Sequence, residues 1–137
     1  MPSPIPLVDT NVLSELARPA PDPHVLAWAE ARPLIAISAV TVEEVAFGLT
    51  WQPKERVRVW FEWFLETFCE VLPVTLEIAR RAGELRGDFQ RHGDVRTQAD
   101  MLIAATAQIE GLTLVTRNVQ HFEGCGIQLL NPFGEPR

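Results

Sequence analysis

Three carboxylates stand where a parallel sheet would gather them. Asp9 ends the apolar run "IPLV", Glu44 falls in the first turns of the helical pattern after "LIAIS", and Asp100 lies in the first turn of the pattern that precedes "LTLVT". In open parallel sheets, sites form outside the carboxyl ends of the strands, where the following helices begin. If the fold brings the three acids together, their repulsion in a partly desolvated cleft raises at least one pKa unless a cation sits among them. Oxygen ligands without His or Cys select Mg²⁺ or Mn²⁺. Such an ion lowers the pKa of a bound water and offsets charge on a phosphodiester under attack, which is nuclease chemistry.

Each acid also has a purely structural explanation. Asp9, Thr10 or Asn11 can cap a helix, and Thr41-x-x-Glu44 and Thr97-x-x-Asp100 both fit a capping box. Acids near helix N-termini gain roughly 0.3 to 1 kcal/mol each from the macrodipole. Taken singly, capping accounts for Glu44 and Asp100, and only convergence separates the two explanations. The run Asp9-Thr10-Asn11 nevertheless supplies three polar residues where one suffices for a cap.

The elements that must position these acids follow from periodicity and breakers. "IPLV" reads as a strand, then a helix spans about residues 11–17 and is stopped by "RPAPDPH". A second helix covers about 24–31, "LIAIS" is a strand, and a helix beginning at Thr41 is interrupted by Pro53. In "RVRVWFEWFLETFCEVL", Val57, Phe61, Phe64, Leu65 and Phe68 form one stripe with Trp60 and Trp63 off it, so the helix is expected to be buried on two sides. After a short "VLPV" segment come helices over about 75–90 and 97–110, the latter capped by Gly111, and strands at "LTLVT" and "GIQLLNPF". Strands alternating with helices, without hairpin signals, describe an α/β fold with a mostly parallel sheet covered by helices.

The 137 residues, 47% hydrophobic, supply one core, so residues 1–137 are expected to form a single domain. No run approaches a membrane span and no leader pattern opens the chain, which points to a soluble protein that stays where it is made. Cys69 and Cys125 lack the spacing of a zinc site or disulfide scaffold and read as free thiols in a reducing cytoplasm. His24, His92 and His121 are scattered singly. A net charge of -6 argues against passive adhesion to nucleic acid. The charge is uneven: Arg80, Arg81, Arg86, Arg91 and Arg96 outweigh Glu84, Asp88 and Asp94, a pattern that fits a solvated helix face, and Lys54 is the only lysine.

The segments "LVDTNVLSEL", "ISAVTVEEVAFGL", "QADMLIAATAQIEGLTLVTRN" and "HFEGCGIQLLNPF" together resemble the PIN-domain ribonucleases, and among them the VapC toxins of the FitB-like branch. The resemblance covers nearly the whole chain. It implies a three-layer α/β/α sandwich, Mg²⁺- or Mn²⁺-dependent endonucleolytic cleavage of RNA, a homodimer in the cytoplasm, and inhibition by a VapB-type antitoxin of a type II toxin–antitoxin pair. By position, Asp9, Glu44 and Asp100 are implied as the metal-binding acids, with Glu43 the solvent-facing neighbour of Glu44. Thr10, Asn11 and Thr116 match polar positions that hold the acidic site or contact phosphate, and turn chemistry explains them as well. Arg117 stands beside the site, where it either touches RNA or is solvated. The family commonly has a further acid within "TRNVQHF", where this chain has Asn118 and His121.

The mechanism so implied is hydrolysis of an RNA phosphodiester by metal-activated water, leaving a 5′-phosphate and a 3′-hydroxyl, with no general-base histidine required. An acidic cleft also suits an arginine from an antitoxin, and the helix around Trp60 and Trp63 is the candidate antitoxin groove. Two other readings compete. An aspartyl phosphotransferase would also place an Asp after the first strand, but it wants a second nearby Asp and a Lys near the phosphate, whereas position 11 is Asn. A PIN-like scaffold with impaired catalysis, binding RNA or a partner, is suggested by the neutral Asn118 and His121.

Overall fold

Strand β1 (Leu7–Val8) is the middle of a five-stranded sheet, and its two residues divide the core between the sheet's faces. A computed structural model describes residues 5–134. The chain continues through α1 (Thr10–Leu16), α2 (Pro23–Glu30), β2 (Ile35–Ser38), α3 (Ala39–Trp51), α4 (Glu55–Phe68), β3 (Cys69–Leu72), α5 (Leu76–Arg91), α6 (Gln98–Glu110), β4 (Leu114–Val115), a 3₁₀ turn at Val119–Phe122 and β5 (Leu129–Leu130). The strand order is β3-β2-β1-β4-β5 and every pairing is parallel, with Leu7 opposite Ala36 and Leu114.

Successive strand residues face opposite sides of a sheet. Leu7, fully buried, packs with Ile78, Leu85, Met101 and Ile103 of α5 and α6. Val8 packs with Val12, Leu13, Val25 and Phe61 of α1, α2 and α4. Helices therefore cover both faces, which gives the expected α/β/α sandwich and explains why the central strands are apolar throughout. No helix among the described residues is long and apolar enough to cross a membrane. Both cysteines are free.

Three local differences from the sequence reading have physical causes. Helix α3 starts at Ala39, not Thr41, because the buried Ser38 hydroxyl accepts the Val40 N–H at 3.0 Å and serves as the cap. Residues Cys69–Leu72, read partly as the tail of the aromatic helix, form edge strand β3 against β2. Helix α4 is also less enclosed than expected: Phe61 is buried, but Trp63 is 51% exposed. The other helix boundaries hold to within about a residue, while β1, β4 and β5 are shorter than the segments "IPLV", "LTLVT" and "GIQLLNPF" that contain them. Thr75 and Thr97 cap α5 and α6, and Gly111 ends α6 at φ 67°, a left-handed conformation that favours glycine.

Candidate active site

The carboxyl ends of β2, β1 and β4 present Ser38, Asp9 and Thr116 side by side, and the site is built from this edge. Asp9 caps α1, its Oδ1 accepting the Thr10 N–H at 2.8 Å. Its Oδ2 accepts the Thr116 hydroxyl at 2.9 Å and the Asn11 amide at 3.2 Å. The three consecutive polar residues thus have three tasks. Asp9 supplies the acid, Asn11 reaches across to the turn after β4, and Thr10 reaches to α3.

The Asn11 connection is reciprocal: its Oδ1 accepts the Arg117 N–H at 3.0 Å, and its Nδ2 lies 3.3 Å from Thr116 Oγ1. Thr116, wholly buried, also accepts the Asn118 N–H at 3.0 Å. With acceptor capacity used by these N–H groups, its single hydroxyl proton is directed at Asp9. On the other side, Thr10 Oγ1 donates to Glu44 Oε1 at 2.8 Å, with Thr41 Oγ1 3.3 Å away.

Glu44 is therefore not a capping acid. Thr41 lies inside α3 and is fully buried, so the expected Thr41–Glu44 box does not form. Thr97 does cap α6, accepting the Asp100 N–H at 3.1 Å, while the Asp100 carboxylate faces His121, with Nδ1 3.5 Å from Oδ2. Glu43 is exposed, as expected.

Electrostatics tie the acids together. Burial, with only 6% of the residue exposed, pushes the Asp9 carboxyl up from its ordinary value, and the charge of Asp100 adds to this against the hydrogen bonds from Thr116, Thr10 and Asn11. Glu44 is also pushed up, first by partial burial and then by Asp9, Asp100 and Glu43, with the Thr10 hydrogen bond opposing. The charged groups that act most on these two acids are other carboxylates. An uncompensated group of this kind favours a cation.

The donor set is all oxygen, which suits Mg²⁺ or Mn²⁺. Among the described residues no three Asp, Glu, His or Cys groups stand close enough to enclose an ion unaided. An open acidic arrangement agrees with ions that retain several waters and take few protein ligands. Clefts open on both sides, one bordered by Thr10 and Glu44, the other by Asp100 and His121.

The segment after β4 carries the remaining candidates. Arg117 is exposed, with its guanidinium carbon 4.4 Å from the centre of the Phe133 ring. Asn118 is exposed and precedes the 3₁₀ turn that holds His121. This turn is fixed by Arg96, which the sequence reading grouped with the solvated arginines. Its side chain is only 14% exposed, pairs with both Asp94 oxygens at 2.9 Å, and donates to the carbonyls of His121 and Glu123 at 3.0 Å. It also lies 3.9 Å over the Phe89 ring. Only its place between two helices, outside the regular face of α5, hinted at this task.

Residues 7–123 match the PIN domain. The chain is 37% identical over 135 residues to VapC ribonuclease Y4jK of Sinorhizobium fredii, an alignment covering 93% of this chain and 96% of that protein. It is 33% identical over 135 residues to Toxin FitB of Neisseria gonorrhoeae, covering 93% and 97%. The crystal structure of FitAcB from Neisseria gonorrhoeae superposes with a TM-score of 0.83 at 31% identity, covering 96% of this chain and all of that one. The sandwich, the acid-bearing sheet edge and this likeness over almost the full length agree: the chain belongs to the PIN-domain family, with the VapC and FitB ribonuclease toxins of toxin–antitoxin pairs.

Proposed function

We propose that this protein is an Mg²⁺- or Mn²⁺-dependent endoribonuclease whose metal ligands are Asp9, Glu44 and Asp100. The observation that carries the reading is geometric: Asp9 and Glu44, from two distant chain segments, are joined through Thr10 at one sheet edge, and the charge of Asp100 acts on both. When bound there, the ion supplies charge neutralisation at the phosphodiester and a water of lowered pKa. Thr116 and Asn11 hold Asp9 by its Oδ2, and Thr10 holds both Asp9 and Glu44, so the carboxylates are oriented before any ligand arrives. His121 faces Asp100, and the backbone N–H groups of Arg117 and Asn118 tie the turn after β4 to Asn11 and Thr116, where their side chains are proposed to contact RNA.

Relatives of this chain are solved as toxin–antitoxin complexes, among them VapBC2 from Rickettsia felis, 26% identical with a TM-score of 0.83. A VapB-type antitoxin is accordingly the proposed partner, presenting an arginine to the acidic cleft. Its proposed seat is the aromatic groove of about 420 Å³ between α2 and α4, where Trp60 stacks on Phe64 at 4.7 Å and Trp63 is exposed. The protein is further proposed to act as a homodimer in the cytoplasm.

The test is Asp9→Asn. Asparagine's single oxygen can still cap α1 in place of Oδ1, its amide taking the place of the Oδ2 that accepts from Thr116 and Asn11, and circular dichroism checks that the fold persists. Wild-type protein should take up Mn²⁺ by calorimetry and cut RNA to 5′-phosphate ends, and the variant should do neither. Wild-type protein that binds RNA or its partner yet takes up no Mn²⁺ would instead support the impaired scaffold to which the neutral Asn118 and His121 point.

A further inference from the structure

The cleft that begins at the Thr10–Glu44 contact continues along α1 to Arg18 and is bounded at its far end by Lys54 and Arg56, enclosing about 420 Å³. Arg56 is anchored there. Its Nη2 donates to the Ala17 carbonyl at 2.6 Å, which ties the start of α4 to the C-terminus of α1 across 39 positions. Arg18 is largely neutralised by Glu15 at 3.2 Å. A carbonyl carries no formal charge, so Arg56 keeps its own, and beside it stands the chain's only lysine. In a protein of net charge -6, this cleft joins the acidic centre at one end to cations at the other.

The cleft on the opposite side differs in sign. It is bordered by Asp94, Asp100 and Glu123, and its arginine, Arg96, is already held by Asp94 and two carbonyls. A polyanion is repelled by free carboxylates and gains affinity where Lys and Arg displace its counterions. The two clefts thus offer opposite environments to a strand crossing the acids.

The geometry points to the Glu44-side cleft as the seat of RNA phosphates flanking the scissile bond, with Lys54 and Arg56 as the phosphate contacts. This inference rests on the endoribonuclease reading and adds the direction in which the strand leaves the acids. Arg56, fixed through one nitrogen, presents a preset fork to phosphate, and Lys54 contributes a mobile point charge. Both contacts are independent of base sequence.

The experiment uses a fluorescein-labelled single-stranded RNA of ten nucleotides, with the Asp9→Asn chain so that the strand survives. Lys54→Ala in that background should weaken binding roughly 3- to 10-fold at low salt and reduce the slope of log K against log salt by about 0.7, the increment for one phosphate on a single strand. Lys54→Arg should restore both, and Arg86→Ala, on α5, should change neither. Because the chain has one lysine, acetylation of Lys54 by an N-hydroxysuccinimide ester can be followed by mass spectrometry, and bound RNA should slow it several-fold. Unchanged affinity, slope and acetylation in a chain that does bind RNA would overturn the cleft assignment and leave the endoribonuclease reading intact. Shielding of Lys54 by a co-expressed partner protein, with no shielding by RNA, would also overturn it. If the chain neither binds the strand nor, as wild type with Mn²⁺, cuts RNA, the endoribonuclease reading fails first and the cleft with it.

Discussion

The Thr116 hydroxyl donates to Asp9 Oδ2 at 2.9 Å, joining two buried side chains that stand 107 positions apart and leave adjacent strands at the same edge. It is a directed bond, because Thr116 accepts from Asn118 and so turns its proton toward Asp9. Removing it should have two effects at once. Thr116→Val preserves shape but strips Asp9 of a donor and leaves the Asn118 N–H without its acceptor, at a cost of about 1 to 3 kcal/mol. Since that donor holds the Asp9 carboxyl down, the acid limb of the pH–activity profile should also move to higher pH. Urea denaturation and a pH–rate series check the two effects, and an unmoved acid limb would count against Asp9 as a group whose ionisation matters.

Much of this edge was legible in the sequence, for reasons that also mark where reading stops. Apolar runs of four or five residues identified β1, β2 and β4, the longer segment "GIQLLNPF" contained β5, and Gly111 marked the end of α6, because burial and a left-handed cap leave local signatures. Strand β3 was lost because the aromatic period of α4 runs straight into Cys69–Leu72. Ser38 and Thr41 both offer a hydroxyl at the start of α3, and sequence alone gave no ground for preferring Ser38. The excess of polar residues at positions 9–11 was visible, but their partners at Glu44 and Thr116 were not. Arg96 was nearly hidden, since its carbonyl partners lie 25 and 27 positions ahead.

Stability without metal should rise on mild acidification. Asp9 and Glu44 have folded-state pKa values above their ordinary 3.8 and 4.5. Each binds its proton more tightly when folded, so its contribution is fully present below the ordinary value and is lost as pH rises through the raised one. Asp22, Glu55 and Asp94 shift downward and act in the opposite sense, but Glu55 and Asp94 are exposed, Asp22 is partly so, and water screens all three. In EDTA, these two acids should raise the melting temperature as the pH falls from neutrality toward their ordinary values. Asp9→Asn should flatten that climb, whereas a wild-type melting temperature falling monotonically with acid would contradict the raised proton affinity of the two acids.

Metal should reverse the penalty at neutral pH. An ion that binds only the folded chain stabilises it by about 2.7 kcal/mol at 100 times its Kd. Mn²⁺ should therefore raise the melting temperature of wild-type protein and leave Asp9→Asn nearly unmoved, as differential scanning fluorimetry can read. An equal rise in both would place the ion elsewhere.

The aromatic groove makes a separate prediction about partnership. Trp63 is half-exposed at the lip of the groove, its ring 5.2 Å from that of Phe68, so Trp63→Glu should cost the isolated fold less than about 1 kcal/mol. A charge on this lip must be desolvated when an apolar helix is seated, which should lower antitoxin affinity at least tenfold. Co-purification with the product of a neighbouring antitoxin reading frame tests this, with RNA cleavage by the free variant as the control. Undiminished complex formation would remove the groove from the interface.

Arg96 separates holding a turn from holding the whole fold. Its guanidinium satisfies the carbonyls of His121 and Glu123, pairs with Asp94 and covers Phe89, so one side chain ties the turn opposite Asp100 to the segment before α6, beside the anchor that buried Phe122 provides. Arg96→Ala should cost about 1 to 3 kcal/mol, the range for unmaking hydrogen bonds to a charged donor. The loss should be local: hydrogen exchange at residues 119–123 should quicken well before that of β1 or α6, whose packing does not involve Arg96. Lysine can reach one carbonyl but not form the two-nitrogen bond to Asp94, so Arg96→Lys should restore only part of the protection. With Asp100 itself untouched but His121 no longer held against it, kcat for RNA cleavage should fall while Mn²⁺ affinity changes less than twofold. Uniform acceleration of exchange across the sheet would instead make Arg96 an ordinary contributor to global stability.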